Sequence, residues 1–343
     1  MTLNPRNILV IDFGQLGDVV MSLPALQAIR EQFPHARITV AAGKPSSQIV
    51  ELSGHADEVI AVDRVALRDG FKPLSILRVL NVVKDIRRRE FDFVIDLHSF
   101  SETNLMGFLS GASRRLFARR PGRSLDFLAN FSPKPPVDLN DPDQHLVDRY
   151  LDVLKPLGIR NVKRIPKINT RASDDRAVDS MLKKAKAESG APLVGLFPGA
   201  GHPGRCWPTR KWAELADFLI RNDGVRPVVF VGPEERATAQ EMRRLFPASA
   251  VFLEKLSIGE LAAAQARLAV FVSNDTGPVH IAAAVGTPIV VLIGRPTPHA
   301  YIPLADSKRL IFSHGVHTIE VEEVYGAARE LLAAERMATL FAS

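Results

Sequence analysis

Three short stretches hold residue types suited to proton abstraction and anion binding. The first, "FGQLGDVVMSLPALQAIREQF" (residues 13–33), sets Gly14 and Gly17 just after the apolar run "NILVI" and puts Asp18 where an amphipathic helix should begin. An Asp at that position reads as an N-cap, worth about 1 kcal/mol through the orphan amides it satisfies. It also suits a general base: the helix N-terminus favours a carboxylate, and the glycines keep the loop low enough for a substrate hydroxyl to approach. The loop does not fit a dinucleotide cradle. That fingerprint needs a third glycine at the helix contact and an acid near the end of the second strand, whereas "GQLGD" has no third glycine and "VAAGKP" offers Lys44.

The second stretch, "VSNDTGPVHIAAAVGTPIVVLIG" (272–294), carries Asp275, Thr276 and Gly277 after an apolar run, then Pro278 at an expected first helical position. Amides of Thr276, Gly277 and the following turn would point outward at a helix N-terminus, a site suited to a diphosphate. His280 falls in that first turn, either packed, solvated or donating to the same anion. The third stretch, "LFPGAGHPGRCWPTRKWAEL" (196–215), imitates a P-loop, with Gly199 and Gly204 at the right spacing. The imitation ends at Arg205 and Cys206, which replace the lysine and the magnesium-binding Ser/Thr. It reads better as a strand, a glycine-rich turn and an Arg205 reaching an anion. The alternative leaves Arg205 solvated and makes Trp207 a core anchor.

Metal chemistry is not expected. Asp141 and Asp143 in "NDPD" have D-x-D spacing but lie in a proline-rich stretch that reads as a solvated loop. His314 and His317 in "HGVH" lack clustered partners. "RRLFARRPGR" holds Arg114, Arg115, Arg119, Arg120 and Arg123 with no acid, either a solvated face or a surface for an anionic partner. No zinc-finger or RNA-recognition spacing accompanies it, which disfavours nucleic acid.

These residues need a scaffold, and apolar runs alternating with helical patterns supply one. Strands are expected at "NILVI", "RITVAA", "EVIAV", "DFVIDL" and "RLFA", then at "PLVGLF", "RPVVFVG", "AVFLE", "LAVFVSND" and "TPIVVLIG". Helical spacing fills the intervals, as in "LSILRVLNVVKDIRRR" and "RKWAELADFLIRN". The alternation describes βαβ units on parallel sheets. After "QHLVDRYLDVLKPLG", the polar, basic segment "IRNVKRIPKINTRASDD" reads as a linker, so the expectation is two doubly wound Rossmann-like domains, 1–168 and 169–343, facing a cleft. Ligands of such sheets bind outside the carboxyl ends of the strands. At 343 residues with 46% apolar and 24% charged residues, the chain suits two globular domains. Its longest apolar run is too short to span a bilayer, its N-terminus lacks a signal-peptide core, and its single cysteine, Cys206, fits a reducing compartment. A cytoplasmic location is expected.

The segments "ILVIDFGQLGDVVMSLPALQAIR", "PGAGHPGRCWP" and "SNDTGPVHIAAAVGTPIVVLIG" resemble the signature segments of the bacterial heptosyltransferases of glycosyltransferase family nine, a likeness running from about residue 7 to 303. The resemblance implies a GT-B architecture, with the acceptor on the first domain and the nucleotide sugar on the second. It implies inverting transfer of heptose from ADP-heptose to the anionic inner core of lipopolysaccharide, with no metal or cofactor. Peripheral contact with the cytoplasmic face of the inner membrane is compatible with such an acceptor. Asp18 would be the catalytic base; Arg205, Glu234, Asp275, Thr276, Gly277 and His280 would bind the donor; Arg119 and Arg120 are candidates for the acceptor. Asp12 stands where the family usually has a basic residue, and Gly294–Pro298 reads "GRPTP" where "GPTDP" is usual. A sugar-nucleotide epimerase on the same fold and a non-catalytic nucleotide-binding module are the alternatives.

Overall fold

The computed structural model describes residues 3–63, 73–187, 190–235, 239–294 and 299–342. By its contacts the chain divides into two units, Met1–Pro166 with Pro298–Ile302, and Lys167–Thr297 with Pro303–Ser343.

The first unit runs β1 (Asn7–Asp12), α1 (Leu16–Gln32), β2 (Arg37–Gly43), α2 (Lys44–Ser53), β3 (Glu58–Val62), α3 (Pro73–Arg88), β4 (Phe93–Asp96), α4 (Ser101–Leu109), β5 (Arg114–Phe117) and α5 (Leu146–Val153). Its strands pair in parallel in the order β3-β2-β1-β4-β5. Ile8 to Ile11 of the central strand β1 are buried, because a parallel sheet covered on both faces needs a continuous apolar run. The chain leaves β1 toward β2 and returns on the other side at β4. The carboxyl ends of β1 and β4 therefore flank the point where strand order reverses, the usual ligand position in such sheets.

The second unit runs α6 (Ala172–Lys184), β6 (Leu193–Phe197), α7 (Thr209–Asp223), β7 (Arg226–Val231), α8 (Ala239–Leu245), β8 (Val251–Glu254), α9 (Ile258–Gln265), β9 (Val270–Asn274), α10 (Gly277–Ala284), β10 (Ile289–Ile293), β11 (Lys308–Phe312) and α11 (Val321–Ala342). The parallel order is β11-β10-β9-β6-β7-β8, with the reversal between β6 and β9. Val290 and Leu292 join the cluster around Trp207, Trp212 and Val324, while Ile289, Val291 and Ile293 join the one around Phe230 and Phe271. Alternate side chains thus fill opposite faces. Gly195 in β6 leaves room for Leu268, whose Cδ1 would lie 2.4 Å from an added Cβ.

Two features differ from the expectation. β11 was not anticipated: it is an edge strand opened by Lys308 and Arg309 and mostly not buried, so it lacks the apolar run of its neighbours. The segment read as a linker already contains the first residues of α6, which begins at Ala172. Among the described residues, no helix is long and apolar enough to cross a membrane.

Candidate functional site

In the first unit, the opening loop is built around two acids, Asp12 and Asp18. α1 begins at Leu16, so Gln15 is its N-cap and Asp18 its third residue. That corrects the N-cap reading. Asp18 Oδ2 instead accepts the Gln15 amide at 3.0 Å, because an acid at the third position can reach back to the N-cap amide. Asp12, 2% exposed, accepts the Gly14 amide through Oδ1 at 2.9 Å. The glycine is required there, since an added Cβ would lie 2.7 Å from Asp18 Cβ and 3.0 Å from Asp12 Oδ1. Asp18 is half-buried.

The β4 end supplies the other wall. Asp96 is fully buried and accepts the amides of His98 and Ser99 at 3.0 and 2.7 Å and Asn104 Nδ2 at 2.7 Å. These bonds hold Ser99 at φ 50° and turn His98 back, so that its Nδ1 lies 3.9 Å from Asp12 Oδ1. Burial pushes the Asp96 carboxyl up to about 7, against the hydrogen bonds that favour its charged form. A folded-state value above the unfolded one means the folded chain binds the extra proton between about pH 4 and 7, so this group's stabilisation is lost as pH rises through that window. Asp96→Asn should flatten that part of the stability profile; an unchanged difference between denaturation midpoints at pH 5 and 7.5 would refute the assignment.

Two groups absent from the sequence reading complete this wall. Tyr150, on α5, is 2% exposed, and burial together with the charges of Asp12 and Asp18 holds its phenol well above the usual range. It stays protonated beside the two acids. Arg149 is equally buried, donating to the carbonyls of Gln144 and Leu139 at 2.8 and 2.9 Å.

Arg119 and Arg120 part company. Arg119 is exposed. Arg120 lies over the Phe100 ring at 4.3 Å and donates to His98 O, Leu139 O and Asn140 Oδ1. Burial lowers its pKa, and Asp96 and the phenols of Tyr150 and Tyr301 oppose that shift.

In the second unit, the glycine-rich loop and the D-T-G turn are tied through one residue the sequence reading passed over. Asn274 Nδ2 donates to the carbonyls of Pro198 and Gly199 at 2.8 and 3.2 Å, and its Oδ1 accepts the Trp207 amide at 3.1 Å. Trp207 is 1% exposed, meets Trp212 edge-on at 5.1 Å and donates Nε1 to Ile319 O. Trp207 is therefore a core anchor. Arg205 ends the 3₁₀ turn Pro203–Arg205 two residues earlier, partly exposed, so anchor and arginine coexist.

α10 begins at Gly277 with Thr276 as N-cap, which makes Pro278 its second residue, one later than expected. His280 is buried in this short helix. Glu234 is exposed in the turn after β7. Its neighbour Glu235 packs under the glycine-rich loop: an added Cβ on Gly199 would lie 2.2 Å from its carboxyl carbon, and one on Gly232 2.5 Å from its Oε2. Burial, helped by the charge of Glu234, pushes Glu235 up. Residues 295–298 of "GRPTP" lie outside the described residues.

Among the described residues, no three His, Cys, Asp or Glu side chains gather where a metal could bind. Asp141 accepts the Asp143 amide at 2.9 Å in a local loop turn.

Residues 79–326 match glycosyltransferase family 9 (heptosyltransferase). The lipooligosaccharide heptosyltransferase 2 of Haemophilus influenzae is 26% identical over 320 residues, 89% of this chain and 88% of that one. The crystal structure of a glycosyl transferase family 9 protein from Veillonella parvula superposes with a TM-score of 0.86 at 25% identity, covering 97% of this chain and 99% of the other. The E. coli ADP-heptose lps heptosyltransferase II superposes at 0.75 and 21% identity, covering 96% and 99%, and shares the fold. The fold class is thus GT-B, built from two Rossmann-like parallel-sheet units.

Proposed function

The chain belongs to glycosyltransferase family 9, and on that premise we propose that it transfers heptose from ADP-heptose to the inner core of lipopolysaccharide, with inversion and without a metal. The observation that carries this reading is Asp18: a carboxylate fixed by the Gln15 amide at the end of β1, beside a glycine no other residue could replace without displacing it. The names of the relatives supply the donor and acceptor classes.

The chemistry is a single displacement. Asp18 takes the proton of an acceptor hydroxyl as that oxygen bonds to the anomeric carbon and the bond from that carbon to the diphosphate breaks. The departing ADP gathers negative charge. Arg205, His280 and the amides of Thr276 and Gly277 meet that charge, the stabilisation that metals give in other transferases. Asp275 and Glu234 hold the nucleoside side of the donor. The acceptor's phosphates and sugar carboxylates are met by Arg119 and Arg120, since guanidinium groups match such anions with bidentate bonds. Arg120 is already oriented by its bonds to His98 and Asn140. Because the acceptor is a lipid, the protein works in the cytoplasm in peripheral contact with the inner membrane.

The test is to incubate the protein with ADP-, UDP- and GDP-sugars and a truncated lipopolysaccharide, with and without a chelator, and follow product mass. A heptose added only from the ADP donor, chelator present or not, is the expected result. Conversion of the sugar nucleotide without an acceptor would instead identify an epimerase, and tight ADP binding with no turnover a binding module.

A further inference from the structure

The edge of the first sheet carries an exposed apolar surface to which the proposed transfer assigns no role. β5 is the edge strand, and the chain after it folds back alongside: Asn130 N and Phe131 N both donate to Arg115 O, at 3.2 and 3.1 Å. In this returning segment Leu128 and Ala129 pack on the core and Phe131 stacks on Phe93 at 5.5 Å. Phe127 turns the other way and is 72% exposed. On the adjoining α4, Leu105 and Phe108 are 45% and 43% exposed, while Met106 and Gly107 between them are buried. Residues three apart share a helix face. Arg115 joins the two elements: its guanidinium lies 5.3 Å from the Phe108 ring centroid, and its Nε donates to Leu128 O at 3.0 Å.

The rim is basic. Arg123 is exposed, and its carbonyl accepts the Ser101 amide at 2.8 Å, which fixes it at the start of α4. Lys134 is exposed 3.8 Å from Asp126. Glu102, in the first turn of α4, is exposed, and Asp126 is partly exposed.

We propose that this edge rests on an anionic lipid bilayer, with Phe127, Phe108 and Leu105 entering the headgroup–acyl boundary and Arg115, Arg123 and Lys134 meeting lipid phosphates. Exposed apolar clusters rimmed by polar groups mark interaction sites. The charge selects the partner: exposed rings beside guanidinium and ammonium groups match the boundary between acyl chains and phosphates, where apolar burial and electrostatic attraction act together. The proposal deepens the peripheral membrane contact named above and rests on it for its setting. Its vesicle-binding arm uses neither nucleotide nor acceptor, so membrane binding fails or succeeds independently of heptose transfer.

Full-length protein is sedimented with vesicles of phosphatidylethanolamine and phosphatidylglycerol, and with vesicles of phosphatidylcholine alone. The wild type should partition onto the anionic vesicles only. Phe127→Ser should weaken that partitioning at least about fivefold, and Arg123→Glu should weaken it at low salt with less effect at high salt. Phe127→Trp should retain binding and shift its fluorescence to the blue on vesicles. Phe127→Ser should transfer sugar to a short, lipid-free acceptor as the wild type does. Wild-type indifference to anionic vesicles, unaltered partitioning of Phe127→Ser, or a dimer in solution that depends on Phe127 would each overturn the proposal. So would loss of transfer to the lipid-free acceptor, which would make the edge part of the acceptor site.

Discussion

Asp18→Asn should lower turnover by about 10²-fold or more, the usual contribution of a general base, while ADP binding and the denaturation midpoint stay close to wild type. The structure makes this substitution unusually clean. Asp18 holds the Gln15 amide through one oxygen at 3.0 Å, and the amide oxygen of asparagine can accept the same bond. What the variant loses is the charge, which near a helix N-terminus contributes about 0.3–1 kcal/mol. A residue serving only the capping box would therefore show a small stability change and ordinary turnover. A residue serving as base would show the reverse, together with loss of the acid limb of the kcat/KM profile, because asparagine has no proton to release. Turnover within a factor of three of wild type would remove Asp18 from the role and leave it a capping residue.

The division between what could be read in advance and what could not follows the range of the interactions. The strands were legible because β1, β4, β9 and β10 are apolar on both faces. β11 escaped because an edge strand opening with Lys308 and Arg309 carries no such run. Asp18, Arg205 and the D-T-G turn were visible from glycines and helix starts, which are local signals. Tyr150 was not: only tertiary packing brings it under the charges of Asp12 and Asp18, from more than a hundred residues away. Asn274 stood inside a quoted motif, yet its function lies in carbonyls 75 and 76 residues upstream. Glu234 and Glu235 are adjacent and chemically alike. Burial against Gly199 and Gly232 separates them, and no sequence pattern distinguishes the inner from the outer side of a turn. Asp12 was noticed as a departure from the family; its bond to the Gly14 amide shows what the acid does for the loop, and a basic side chain could not accept it.

Arg205→Ala should remove about half or more of the stabilisation that ADP gives the protein. ADP at about 100 times its Kd should stabilise the wild type by about 2.7 kcal/mol. Among the described residues the Arg205 guanidinium has no hydrogen bond or ion pair, so its removal should leave the ligand-free protein intact. The loop around it stays in place, since Asn274 holds Pro198, Gly199 and Trp207 and none of those bonds involves Arg205. A charge-assisted hydrogen bond to a phosphate is worth about 1.5–3 kcal/mol, and each 1.4 kcal/mol is about tenfold in affinity. The Kd for ADP should rise about 10- to 100-fold, and at the same ADP concentration the stabilisation should fall to about 0.4–1.4 kcal/mol. Arg205→Lys should recover part of the affinity, because a point charge remains while the bidentate geometry is lost. A chelator should alter neither the wild-type Kd nor the rate. If ADP stabilises Arg205→Ala as strongly as the wild type, the diphosphate is held by the D-T-G turn and His280 alone. If turnover strictly requires Mg²⁺ or Mn²⁺, arginine has not taken the place of a metal, and the acids at Asp141 and Asp143 return as candidates.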